Sequence, residues 1–291
     1  MEQRLRFSQR HPFLFGVLLI IMAVALVTGA MAIFRGLESG GFASERLGEV
    51  HVDGVIMDSA SIVDYIRKLT DDDSIKGVLL RVNSPGGAVA PSQEIYEAVK
   101  NLAAKKPVVA SFSTVAASGG YYAAAPCTKI FANPGTLTAS IGVKVEFVTV
   151  RDALEKLGIT PEVLTTGPFK ASGSPLETLT DGQRMQLMSV IEDLHDQFVT
   201  DVASARGMKR EQVEAVADGR AVTGRQALAY GLVDALGSRR NAIEDLKRLA
   251  GLEGPVPMES GPVVEEPLMQ KLFGVTLPFD VLLPGLKISY Q

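Results

Sequence analysis

The chain has 291 residues, 46% hydrophobic and 21% charged, which permits one or two compact domains with a full apolar core. A net charge of −4 leaves no electrostatic footprint for nucleic acid, which is not expected as a partner. The single cysteine, Cys127, excludes an intramolecular disulfide and a cysteine metal site; beside Ala125, Pro126 and Thr128 it reads as a small buried hydrophobe.

Phe13 to Phe34 carries no charge and is long enough to cross a bilayer as a helix. Arg4, Arg6 and Arg10 precede it, offset by Glu2, whereas Arg35 and Arg46 behind it are offset by Glu38 and Glu45. The excess of positive charge puts residues 1–12 in the cytoplasm and the rest of the chain outside. Ala30-Met31-Ala32 resembles a signal-peptidase cleavage site, but the apolar run exceeds the usual signal core, so an uncleaved anchor is expected.

Residues 35–46 read as a flexible tether. Val50, Val52 and Val55-Ile56 then mark a strand, and Ile62 to Leu69 an amphipathic helix. Gly77 to Val82 is a continuous apolar strand that stops at the turn-rich Asn83-Ser84-Pro85-Gly86-Gly87. Pro91 to Leu102 forms the next helix, with Ile95, Ala98, Val99 and Leu102 on one face.

Pro107 to Ser113 is a β-type run leading into Ala116-Ala117-Ser118-Gly119-Gly120, and Tyr121 to Ala125 is helix-compatible. Strand, small-residue turn and helix is the layout that lifts one side chain out of a sheet, with glycines leaving room for a substrate backbone. A buried serine in a close-packed turn explains this segment equally well.

Further strands are expected at Ile130-Phe131-Ala132, at Leu137 to Val143 after the turn Asn133-Pro134-Gly135, and at Val163-Leu164. A short helix around Ala153 to Leu157 ends at Gly158, and Gly167 to Pro175 is a loop. Thr180-Asp-Gly-Gln183 is a capping box opening a long helix with Leu187, Ile191, Leu194, Phe198 and Val202 on its stripe. Thr223-Gly-Arg-Gln226 caps a helix closed by Gly231, and Arg239 to Leu249 is the last clear one. Repeated strand–turn–helix units argue for an α/β domain on a largely parallel sheet. After Leu252 the chain turns proline-rich, with apolar clusters at Leu272-Phe273 and Val281-Leu282-Leu283, and reads as a tail outside the sheet.

Past the anchor the only histidines are His51, in an alternating strand, and His195, mid-helix between Asp193 and Asp196; both read as ordinary positions. No His/Cys/Asp/Glu cluster has metal spacing and no P-loop follows Asn83, so no metal or cofactor is expected. Lysine remains as a base. Lys170 lies in a stretch free of acids from Val163 to Leu176, so burial would favour its neutral amine, able to take a proton from Ser118. An exposed loop lysine is the ordinary reading of the same residue.

Five linked motifs carry a resemblance. These are Arg81-Val-Asn-Ser-Pro-Gly-Gly87, Ala116-Ala-Ser-Gly-Gly-Tyr-Tyr122, Leu137-Thr-Ala-Ser-Ile-Gly-Val143, Gly167-Pro-Phe-Lys170 with Ser174-Pro175, and Asp218-Gly-Arg220 with Thr223-Gly-Arg-Gln-Ala227. In order and spacing the chain resembles the bacterial signal peptide peptidases of the protease IV type over residues 49–245. The resemblance implies a Clp-protease/crotonase-like fold, with Ser118 as nucleophile, Lys170 as general base and Ser140 orienting the lysine. It also implies that the N–H of Gly86 or Gly87, with that of Gly119, forms an oxyanion hole. One copy of the domain is similar to the short form of the family, a homo-oligomeric ring in which serine and lysine can come from neighbouring subunits.

The expected organisation is therefore a transmembrane anchor at 13–34, a linker at 35–46, a Ser/Lys peptidase domain at 47–250 and a tail at 251–291. The expected activity is endoproteolysis of signal peptides and similar apolar segments at the inner membrane, on its periplasmic side. The alternatives are a crotonase-like acyl-CoA enzyme and a non-catalytic scaffold for membrane proteins.

Overall fold

The computed structural model describes residues 11–40, 45–262 and 287–290 and divides the chain into two units, Met1–Glu45 and Arg46–Gln291. In the first, α1 (Pro12–Gly40) contains a span, Pro12–Met31, long and apolar enough to cross a membrane, with none of it buried against the chain. The helix runs through Gly40, so the first half of the expected tether is helical: the helix nucleated by the apolar run propagates past Gly36. Arg4, Arg6 and Arg10 lie outside the described residues.

In the second unit the apolar runs become adjacent parallel strands, β1 (Arg46–Ile56), β2 (Ile75–Ala88), β3 (Val108–Ala117) and β4 (Lys129–Ala132). Right-handed crossovers are the rule for such strands, and here α2 (Ala60–Asp71) and α3 (Val89–Ala103) make the first two connections. Short α4 (Gly119–Ala124) follows β3. Because both sheet faces are covered, alternate residues of each strand feed different cores. Val50, Val52, Val78, Leu80, Val82, Val108, Ala110 and Phe112 meet α2, α3, α4 and the C-terminal half of α6 (Asp181–Arg206). Leu47, Leu79, Val109 and Phe131 meet Ala242 and Leu246 of a helix on the opposite face.

Both capping boxes are present, at Thr180 with Gln183 and at Thr223 with Gln226. Between β4 and α6 lie β5 (Leu137–Ala139), β6 (Lys144–Glu146) and α5 (Arg151–Lys156), none of whose helical residues is buried. After α6 come α7 (Arg210–Glu214), β7 (Ala221–Thr223), α8 (Gly224–Ala229), β8 (Ala235–Leu236) and α9 (Arg239–Leu249). The sheet is largely parallel; β5–β7 pairs antiparallel.

Four expectations are corrected. The strand β2 does not stop at Asn83 but continues to Ala88, because β1 keeps pairing it through Asp53↔Asn83, Val55↔Gly86 and Ile56↔Gly87, with a register shift absorbing the turn-type residues. The strand after Leu137 ends at Ala139, where Ala139 and Ser140 take positive φ. Val163-Leu164 is not a strand: the segment pairs with none of the described strands and Leu164 is exposed. The tail is not outside the sheet. β9 (Met258–Gly261) pairs parallel with the free edge of β1, held by the Tyr65 hydroxyl donating to the Glu259 carbonyl and by Glu259 pairing with Arg46 and Lys68. β10 (Lys287–Tyr290) pairs antiparallel with β2 and β6. The clusters at Leu272-Phe273 and Val281–Leu283 lie outside the described residues.

Candidate active site

Ser118 sits at the junction of β3 and α4 with φ 53° and ψ −121°, a conformation that side chains rarely adopt and that persists only when its surroundings over-determine it. Those surroundings are identifiable. Its N–H donates to the Ala139 carbonyl at 2.7 Å, continuing the β3–β5 ladder to the turn, and its own carbonyl accepts from Tyr122 N–H at 2.9 Å. Tyr121 and Tyr122 anchor the following turn: the Tyr121 hydroxyl donates to the Leu232 carbonyl at 2.9 Å, and the Tyr122 hydroxyl to Asp201. The Tyr122 ring lies 4.8 Å from those of both Tyr96 and Phe198.

The glycines answer a steric demand. A Cβ on Gly119 would stand 2.3 Å from Ser92 Oγ, and one on Gly120 2.7 Å from the Ser84 carbonyl. The start of α4 therefore presses directly on β2 and α3. The same closeness brings Gly87 in: its amide nitrogen is 3.3 Å from the Cβ position of Gly119. Gly86, at φ 103°, donates its N–H to Ser84 Oγ at 3.1 Å. Of the two glycines expected to pair with Gly119, Gly87 is the one beside it.

Ser140, at φ 51°, is nearly buried; its hydroxyl donates to the Gly219 carbonyl at 3.2 Å and its N–H to the Arg220 carbonyl at 3.1 Å. Asp218-Gly-Arg220 thus clamps the loop after β5. The Arg220 guanidinium, bonded to Asp218, holds that carboxyl down at about 2. The expected bond from Ser140 to a lysine is replaced here by the bond to Gly219.

Lys170 is not brought to the serine within the chain. It is exposed in a turn, its N–H donating to the Gly167 carbonyl at 3.2 Å, and among the described residues no bond links its amine to Ser118 or Ser140. The burial expected for it is absent because the loop rests on α6 by its backbone, through Gln183 Nε2 donating to the Pro168 carbonyl at 2.7 Å. Ser118 Oγ, by contrast, is buried with no hydrogen-bond partner. The hydroxyl-bearing residues packed against its neighbours, Ser92 at Gly119, Ser84 at Gly120 and Thr138 at Ala116, offer no base. His51 lies between Glu49 and Asp53, and His195 contacts the Ala217 carbonyl at 2.8 Å, so both are engaged elsewhere. Cys127 is buried, which pushes its thiol up and makes it inert.

Sequence reasoning missed Ala139, whose carbonyl holds the Ser118 amide, and Ser92, against which Gly119 closes. Neither carries a local signal, since each acts through its position on another element. The arrangement suits acyl transfer: a hydroxyl at an elbow, beside two glycine amides, awaiting a base.

Comparison with known proteins agrees with that chemistry. The model of peptidase family S49 matches residues 100–253 and that of the Clp proteases residues 50–137, so the fold is Clp-protease-like. A protein of Synechocystis sp. provisionally described as a protease is 38% identical over 79% of this chain and 83% of its own length. One of Enterococcus faecium, provisionally described as the signal peptide peptidase SppA, is 34% identical over 80% of this chain and 78% of its own. Protease 4 of Salmonella typhi is 36% identical over 70% of this chain and 34% of itself.

Proposed function

The chain belongs to peptidase family S49 and is a serine protease acting on peptides; from that premise we propose a membrane-anchored endopeptidase with Ser118 as nucleophile and Lys170 as general base. The observation that carries this reading is the buried, unpartnered Ser118 Oγ at a strained elbow beside Gly87 and Gly119.

Ser118 would attack the scissile carbonyl while its proton passes to a neutral lysine amine. The negative charge developing on the carbonyl oxygen would fall to the amides of Gly119 and Gly87. Since Lys170 is exposed in this chain and Ser118 is not, a neighbouring copy supplies the lysine, and packing of that copy desolvates the amine. Ser140, in the loop that follows β5, would orient that amine by exchanging its hydroxyl's bond to the Gly219 carbonyl. α1 anchors the chain with its N-terminus in the cytoplasm, which places the catalytic unit on the periplasmic face. There it meets apolar, extended segments such as cleaved signal peptides.

The test is labelling with a fluorophosphonate and hydrolysis of an apolar peptide, wild type against Ser118→Ala. Both signals should vanish in the variant with folding unchanged. Hydrolysis that survives Ser118→Ala would remove the serine from the mechanism.

A further inference from the structure

Strand β3 changes neighbours along its length. Val109 to Ser111 pair with Lys129 to Phe131 of β4, whereas Val115 to Ala117 pair with Leu137 to Ala139 of β5. On the other side the ladder with β2 slips at the same point. Val82 stands opposite Phe112 but Ser84 opposite Ala116, so an advance of two residues along β2 is matched by four along β3. Ser113 and Thr114 stand in register with none of the three neighbours, and β3 bulges just before it delivers Ser118.

Arg81 of β2 reaches across this break. Among the described residues its guanidinium hydrogen-bonds only to β3. Nη1 donates to Ser111 Oγ at 2.8 Å and, at 3.3 and 3.4 Å, to the carbonyls of Ser111 and Phe112; Nη2 donates to Ser113 Oγ at 2.8 Å. Thr136, just ahead of β5, adds a bond of 2.6 Å from its hydroxyl to the Ser113 carbonyl. Arg81 is half-buried, and burial together with the charge of Arg239 lowers its pKa, against the opposing effect of Glu49 and Asp53. A charge desolvated in this way and bonded to neutral oxygens is costly to keep, and the point charge of a lysine would not fork across three residues.

The bulge sets where the nucleophile lands. Beyond it Ala116 and Ala117 join Thr138 and Ala139, with Thr138 Oγ1 donating to the Ala116 carbonyl at 2.6 Å and the Ser118 amide to the Ala139 carbonyl. A slip of β3 along β2 would carry Ser118 and Gly119 away from Gly87, which belongs to β2. We propose that Arg81 is a positioning residue for the nucleophile: its fork holds the bulge of β3 in the one shape that brings Ser118 and Gly119 up to Gly87. Its effect on turnover rests on Ser118 being the nucleophile, whereas its hold on the bulge does not.

The experiment compares full-length wild type with Arg81→Met, which keeps the stem and loses the fork, and with Arg81→Lys, which keeps the charge. Amide hydrogen exchange read by mass spectrometry should quicken on the order of tenfold in the segment Phe112–Gly119 of Arg81→Met, and leave β1 and α9 as in wild type. Hydrolysis of an apolar peptide, measured well below the Tm of each chain, should show kcat lower by about a hundredfold with KM within about twofold. Arg81→Lys should fall between the two in both readouts, and carries the comparison if Arg81→Met does not fold. Exchange unchanged in Phe112–Gly119, or quickened equally through the whole sheet, would overturn the proposal. So would a kcat equal to that of wild type. Absence of hydrolysis in the wild-type chain would instead sink the peptidase reading, and the exchange pattern would still decide whether Arg81 holds the bulge.

Discussion

Ser118 and Ala139 both hold positive φ, 53° and 61°, and are tied to each other by a 2.7 Å hydrogen bond from the serine amide to the alanine carbonyl. Two strained residues on neighbouring strands stabilise one another: β3 and β5 stay paired to the point where both chains turn away. The strain is local, costs on the order of 1–3 kcal/mol per residue, and is offset by the core around Tyr121 and Tyr122.

Relieving the strain at Ser118 should therefore raise stability while abolishing activity. Ser118→Gly and Ser118→Ala both lack the hydroxyl, but only glycine adopts φ 53° without cost. Ser118→Gly is expected to be more stable than Ser118→Ala by ~1 kcal/mol, or about 2–4 °C in Tm for a domain of this size. Differential scanning calorimetry of the pair decides it, and an equal or lower Tm for the glycine variant would argue against strain.

Gly119→Ala should be a damaging small substitution beside the nucleophile. The new Cβ would meet Ser92 Oγ at 2.3 Å, so the Ser92 hydroxyl must give up its bond to the Ala88 carbonyl, or α4 or α3 must shift. Overpacking of this kind costs ~1–3 kcal/mol, and a displacement of the elbow should lower kcat by about a hundredfold or more. Adding Ser92→Ala removes the closest atom and should restore part of both losses. Failure of the second change to help stability would mean that the clash is not with Ser92.

Glu49 predicts a term in the acid stability of the fold. Burial raises its pKa, but the Arg239 guanidinium, at 2.6 and 2.7 Å, and the Ser260 hydroxyl outweigh this and hold it below the usual carboxylate value. A depressed native value means stability that is complete above the unfolded-state pKa and is lost as pH falls through the native one. Glu49→Gln should cost ~1–2 kcal/mol at neutral pH, since Arg239 keeps a partly exposed position. The gap from wild type should close as the solution is acidified below pH ~4. Denaturant titrations between pH 7 and pH 3 would show parallel curves if Glu49 does not contribute.

If the lysine comes from a neighbouring copy, inactive chains should complement. Ser118→Ala and Lys170→Ala subunits, each inactive alone, are expected to regain activity when assembled together, wherever an intact serine faces an intact lysine. An intrachain pair would restore nothing, because every chain lacks one member. Mixed oligomers verified by mass and without activity would place the dyad within one chain.

Much of this was legible in residue order because its causes are local. The turn at Ser118 needs glycines on its far side, the capping boxes at Thr180 and Thr223 close on their own helices, and Arg239–Leu249 shows its apolar stripe over three turns. The apolar strands are long runs that could only be buried. What tertiary structure alone decided depends on a distant edge. Met258-Glu-Ser-Gly261 has no strand pattern and becomes β9 because β1 offers unpaired backbone there. Asn83 to Gly87 looks like a turn in isolation and is held extended by β1. The choice between Gly86 and Gly87 turned on which lay against Gly119 and which donated to Ser84. The exposure of Lys170 against the burial of Ser118 could not be read from composition, because whether a side chain meets solvent is set by what packs over it, and among the described residues the Lys170 side chain is left exposed.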